Sequence, residues 1–136
     1  GVDVIYVSNH GGRQLDHGRG ALEILPEVVA AVDGKAEVVV DGGFVRGTDI
    51  LKAVALGACA VGMGKLPVWA LAAGGDSGLQ RMLEILTIEI SMNMGLLGVN
   101  HLDQLDPSYL TSSPPVKPPG DLSPFPTIEQ LIKKNS

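Results

Sequence analysis

The sequence predicts an α/β fold built from βα units of a parallel (β/α)8 barrel, and three observations predict it. Short apolar runs rich in β-branched residues recur at positions 2–7, 38–40 and 60–63. Each run is followed by glycine, and each glycine turn leads into a stretch with helical spacing. The runs are apolar on both faces, as strands are when helices cover both sides of a parallel sheet. Three units cannot close an eight-stranded barrel, and an open three-stranded sheet leaves two unpaired edges. The missing strands are therefore expected from residues outside this chain, in the same or a separate polypeptide. The chain enters its first strand almost at once after Gly1, which reads as a fragment or a processed chain.

After the first strand, residues 21–32 place Leu22, Leu25, Val29 and Val32 on one helical face, with Pro26 in the first turn or at a break and Asp33-Gly34 as the stop. After the second, Thr48 or Asp49 is expected to cap a helix carrying Ile50, Leu51, Val54 and Ala55, which Gly57 closes. After the third comes a short apolar segment, 68–73, interrupted by Gly74 and Gly75. A longer helix is expected from about Ser77 to Leu97, with Leu79, Met82, Leu83, Leu86 and Ile90 facing a core. Beyond Tyr109 the composition changes, with Pro114, Pro115, Pro118, Pro119, Pro124 and Pro126 close together. The division expected is a barrel part at 1–110 and a proline-rich tail at 111–136, ending in a short amphipathic helix through Ile128, Leu131 and Ile132.

Composition narrows the function classes. Of 136 residues only 18% are charged, and the net charge of -5 leaves no basic stripe to neutralise a phosphodiester backbone, so nucleic acid is not an expected partner. No apolar stretch is long enough for a membrane span, and no signal peptide is visible, so the chain reads as soluble. The single cysteine, Cys59, lies in an apolar run and is expected buried and unreactive. A reducing, cytoplasmic setting fits, with a peroxisomal or membrane-associated one left open.

Catalytic groups in a parallel barrel come from the C-terminal ends of strands and the loops that follow them. The first such loop, Ser8-Asn9-His10-Gly11-Gly12-Arg13-Gln14-Leu15-Asp16, sets an imidazole and a guanidinium three positions apart beside two glycines. An arginine fork matches a carboxylate through two parallel hydrogen bonds, and a histidine titrating near neutrality can accept a proton. A histidine at a strand end is also an ordinary loop hydrogen-bonder, so the pair is not decisive alone. The second loop, Asp41-Gly42-Gly43-Phe44-Val45-Arg46-Gly47-Thr48-Asp49, and the third, Gly62-Met63-Gly64-Lys65, put glycines between strand and helix. Such glycines often serve only tight turns. Two in succession after a His/Arg loop is the order expected of a barrel face that binds a phosphorylated cofactor beside an anionic substrate. His17 and His101 have no spaced partner for a metal site and read as a surface-loop and a helix-start residue. Trp69, Met82, Met92 and Met94 read as packing, and Asp16 as a loop-orienting or solvated carboxylate.

With these loops in view, SNHGGRQLD, DGGFVRGTDILKAVALGA and VGMGKLPVWALAAGG closely resemble the FMN-dependent 2-hydroxy-acid dehydrogenase and oxidase family, which includes glycolate oxidase, lactate oxidase and the flavin domain of flavocytochrome b2. The resemblance runs from about Gly1 to Tyr109, and it implies the C-terminal part of the barrel and FMN as cofactor. It implies oxidation of an (S)-2-hydroxy acid to the 2-oxo acid, with His10 as the base and Arg13 as the carboxylate anchor. Ser8, Asp41, Gly42, Gly43, Val45, Arg46, Gly64 and Lys65 fall at its flavin-binding positions. It also implies a homo-oligomer, a tetramer in many family members, and an N-terminal half that supplies the rest of the pocket, so this chain alone is expected to be inactive.

Two positions depart from the family pattern. Val45 stands where the first of two adjacent arginines is usual, leaving Arg46 at the position more often turned away from phosphate. Gly64-Lys65-Leu66 stands for the usual Gly-Arg-Pro. A lysine is a point charge and cannot make arginine's bidentate contact. Two alternatives stay in view, the first favoured by these departures. One is a non-catalytic assembly subunit. The other, suggested by shared Gly-rich late loops, is a related phosphate-binding barrel enzyme of the type 2 isopentenyl diphosphate isomerase or inosine monophosphate dehydrogenase group, against which the SNHGGRQLD loop argues.

Overall fold

In the computed structural model, residues 1–14 and 17–113 are described. They form three parallel strands, β1 (Val4–Val7), β2 (Glu37–Asp41) and β3 (Ala60–Gly62), in the order β1-β2-β3. Helix α1 (Ala21–Val32) connects the first two, α2 (Gly47–Ala55) the second two, and α3 (Lys65–Leu97) follows the third. This is the expected repeated βα unit. The expected proline-rich tail from Pro114 onward, its terminal helix, and Leu15 and Asp16 lie outside the described residues.

Register sorts the two sheet faces. Tyr6 pairs with Val39, Val7 with Val40, Val40 with Val61 and Asp41 with Gly62. Because side chains alternate along a strand, Ile5, Val7, Val38, Val40 and Val61 share one face. That face packs with Ala21 and Leu25 of α1, Ala53 of α2 and Ala58 in the main core. Val40 and Leu25 are fully buried, so truncating either would cost about 2–5 kcal/mol for Leu and somewhat less for Val. The opposite face carries Val4, Tyr6, Val39, Asp41 and Gly62. Val4 and Tyr6 on it are exposed, as befits the interior wall of a barrel whose other strands lie outside this chain.

Helix ends follow local chemistry with two corrections. Asp33 takes the left-handed conformation (φ 52°) and closes α1, as expected. Helix α2 starts earlier than Thr48 or Asp49, with Arg46 as its cap. Asp49 acts from inside the first turn, its carboxylate accepting from the backbone N–H of Val45 (3.2 Å) and Arg46 (3.0 Å). Helix α3 consists of two helical runs separated by a kink at Gly74 (φ -157°) and Gly75 (φ 58°), the interruption expected; only its start, at Lys65, lies earlier than expected. Pro67 is accommodated because it lies in the first turn, where its missing N–H leaves no helical bond unmade. Cys59 is exposed, contrary to expectation, with its thiol 3.9 Å from a Glu37 carboxylate oxygen. It immediately precedes β3, at the end of the strand opposite the cavity-forming loops. No helix among the described residues is long and apolar enough to cross a membrane.

Candidate active site

The three strand-end loops meet around one open cavity of about 450 Å³. His10, Gly11 and Arg13 come from the first loop, Asp41, Gly42, Gly43, Phe44 and Val45 from the second, and Gly62, Met63, Gly64 and Lys65 from the third. Leu66 and Trp69 at the start of α3 complete the wall. Eight of the ten expected site residues thus line one space. Ser8 and Arg46 are not among its lining residues.

The first loop is tightly wound. His10, Gly11 and Gly12 all have positive φ (56°, 63° and 77°), and of these only the glycines adopt it without steric cost. The Asn9 side chain and backbone oxygens accept from Gly12 N–H (3.3 and 3.0 Å), and His10 N–H donates to Ser8 Oγ (3.0 Å). Ser8 therefore acts as a brace for the loop. A non-glycine residue held in the left-handed region is a pattern found where the surroundings fix a side chain for function. His10 and Arg13 are exposed to the cavity, and among the described residues their side chains make no ion pair or hydrogen bond.

The second loop separates two arginine-like roles. Arg46 is held on α3, with Nε 2.7 Å and Nη2 2.6 Å from Glu89 Oε1. The other Glu89 oxygen accepts from Gly47 N–H at 2.7 Å. The Arg46 guanidinium, with the Gly47 amide second, holds the Glu89 carboxyl below its ordinary range. Arg46 thus ties α2 to α3 instead of serving the cavity, while Val45 presents an apolar side chain to it.

Asp41 is the polar centre of the wall. Its Oδ1 is buried without a hydrogen-bond partner among the described residues. Sequence reading missed Tyr6, which shares this face of the sheet. Its hydroxyl reaches over Gly62, where an added Cβ would overlap it. Partial burial raises the Tyr6 hydroxyl's pKa first, and the neighbouring Asp41 charge and hydrogen bonding raise it further. Period-two alternation back from Ser8 was the signal available for Tyr6. Phe44, Met63, Leu66 and Trp69 also entered the wall unforeseen. Trp69, expected as packing, is 57% exposed on the rim, because it lies one turn after Lys65 on the side of α3 that faces the cavity.

Comparison with known proteins adds a decisive observation: residues 1–112 match the family model described as FMN-dependent dehydrogenase. The chain belongs to the FMN-dependent dehydrogenase family. An L-lactate oxidase of a Nostoc species is 51% identical over 110 residues, covering 81% of this chain and 30% of that protein. The 2-hydroxyacid oxidase 1 of Mus musculus is 48% identical over 114 residues, covering 84% of this chain and 31% of the relative. Among solved structures, mandelate oxidase with benzoyl-formic acid aligns with a TM-score of 0.71 at 51% identity, over 74% of this chain and 30% of that one. A mandelate oxidase variant with a monooxide FMN adduct aligns with a TM-score of 0.75 at 50% identity, over 77% of this chain and 33% of that one. The chain of this FMN-dependent dehydrogenase family member therefore spans about a third of the length of the relatives it matches.

The cavity fits the family's cofactor in kind. Gly42 (φ 98°) and Gly43 (φ 84°) turn bare backbone toward it, and a Cβ at Gly43 or Gly64 would project into open space. Asp41 Oδ1 offers a buried acceptor to a hydroxyl-bearing chain. Lys65 at the first turn of α3 adds positive charge to a helix start that has no side-chain cap.

Proposed function

We propose that the complete protein oxidises a 2-hydroxy acid to the 2-oxo acid with FMN, and that this chain supplies the base, the carboxylate anchor and the phosphate end of the cofactor site. The observation that carries the reading is the convergence of His10 and Arg13 with Asp41, the glycine pairs and Lys65 on one cavity. When bound, FMN supplies a two-electron acceptor. The Arg13 guanidinium would hold the substrate carboxylate through charge-assisted hydrogen bonds, fixing the 2-carbon within reach of the imidazole. His10, positioned by its left-handed backbone and the Ser8 brace, would take the substrate proton on a ring nitrogen. Asp41 would accept from a hydroxyl of the cofactor's polyol chain, and Gly42 and Gly43 would let that chain approach the backbone. The names of the relatives, which include lactate, 2-hydroxy-acid and mandelate oxidases, support the substrate class.

The test is an anaerobic titration of the purified full-length protein with lactate, glycolate and mandelate in turn, following the flavin absorbance, beside a His10→Gln variant. Bleaching by one acid, slowed by about 10²–10⁴-fold in the variant while flavin remains bound, is the expected result. Equal bleaching rates in both proteins would remove His10 from the role of base. Val45 in the cavity wall favours a second reading, a non-catalytic assembly subunit. A full-length protein that neither carries nor takes up FMN would support it and end the oxidation reading.

A further inference from the structure

Tyr6 is not one of the residues lining the cavity, yet its side chain crosses the sheet toward them. Alternation along β1 turns it to the face that also carries Asp41 and Gly62. Its backbone is paired with Val39 of β2, while its hydroxyl ends over Gly62 of β3, the register partner of Asp41. A Cβ at Gly62 would overlap that hydroxyl and would lie 3.1 Å from Asp41 Cβ. Glycine at this position is thus what lets the phenol and the carboxylate share one space. Asp41 in turn has a buried Oδ1 without a hydrogen-bond partner among the described residues, and its neighbours Gly42, Gly43 and Gly62 bring no side-chain donor. Partial burial first, then Asp41, raises the Tyr6 hydroxyl above the usual phenol range, so it remains a protonated donor near neutrality.

Resting on the reading of Asp41 as the acceptor for the flavin's polyol chain, we propose that Tyr6 is the positioning residue of that acceptor. Its hydroxyl donates to the Asp41 carboxylate from the barrel-interior face of the sheet, fixes the carboxylate's orientation and leaves further acceptor sites for a ligand hydroxyl. Gly62 belongs to the same device, because any side chain there would push the hydroxyl away. A carboxylate oriented in advance loses less freedom when the ligand binds, and one hydrogen bond to a charged group changes affinity by roughly tenfold or more.

The experiment is a double-mutant cycle on FMN affinity, measured by equilibrium dialysis on full-length apoprotein. Wild type, Tyr6→Phe, Asp41→Ala and the double variant are compared, phenylalanine keeping the ring and removing only the hydroxyl. Tyr6→Phe is expected to weaken FMN binding by roughly tenfold in the wild-type background and by less than about twofold in Asp41→Ala, where no carboxylate is left to position. Should Asp41→Ala carry binding beyond the range of dialysis, Asp41→Asn takes its place. A neutral amide accepts more weakly, so the loss from Tyr6→Phe should there drop to about threefold or less. An affinity not weakened by Tyr6→Phe, or the same fold loss in both backgrounds, as ring packing alone would give, would overturn the proposal while leaving the FMN reading standing. Wild-type protein that takes up no FMN would instead overturn the FMN reading and this inference together.

Discussion

Replacing Gly47 by alanine tests the joint that sets the second loop. Gly47 begins α2 where it meets α3, and a Cβ there would lie 2.7 Å from Glu89 Cβ and 2.8 Å from the Ile90 backbone nitrogen. Ordinary contact begins near 3.4 Å, so the helices must part locally by the difference, about 0.7 Å. The Ile90 nitrogen is main chain inside α3 and cannot turn aside as a side-chain end would. Overpacking of this kind costs about 1–3 kcal/mol, and parting the helices also stretches the 2.7 Å bond from Gly47 N–H to the Glu89 carboxylate. We expect Gly47→Ala to destabilise the full-length protein by about 3 kcal/mol, read as a lowered urea midpoint at unchanged slope. A loss below about 0.5 kcal/mol would refute the claim that this crossing is close-packed, since that is the range of featureless surface changes.

Gly64→Ala is the converse: its Cβ meets nothing within 4 Å, so stability should stay within about 0.5 kcal/mol while FMN affinity, measured by dialysis, falls. Arg13→Lys keeps the charge but loses the planar fork, and steady-state kinetics should show KM for the hydroxy acid raised by roughly tenfold or more. The Glu89 carboxyl, held below its ordinary value by Arg46 and then Gly47, stabilises the fold above the unfolded-state value near 4.5. That contribution is lost as pH falls through the lower folded value. The urea midpoint should therefore drop more steeply on acidification in wild type than in Glu89→Gln; parallel profiles would show that the ion pair adds nothing.

Elements whose causes are local were legible in the sequence. Helix α1 runs from Ala21 to Val32 as its spacing and the Asp33-Gly34 stop indicate, and each strand lies within or beside its β-branched run. What escaped was set across the chain. The start of α2 is held by Glu89, 42 residues from Gly47 in sequence, together with Asp49 acting from within the first turn and not as the cap, so reading Thr48 or Asp49 as the cap misplaced it. The Arg46 partner lies 43 residues away, and the sequence showed only that one arginine of the usual two remained. His10, Arg13, Asp41 and the glycines were readable because loop order in a parallel barrel maps onto one face. Trp69 was not, because nothing in a helix pattern marks which apolar side chain turns to the mouth of a cavity; Tyr6, on the same sheet face as Asp41, was signalled only by the period-two alternation of β1.

Trp69 is this chain's only tryptophan, and it stands on the cavity rim, within the same wall as Lys65 and Leu66. An indole placed there is a built-in optical reporter. Its emission overlaps the absorption of an isoalloxazine ring, so excitation at the indole should pass by resonance transfer to any flavin seated in the cavity. Occupancy of the site can then be followed in real time, without label and without turnover.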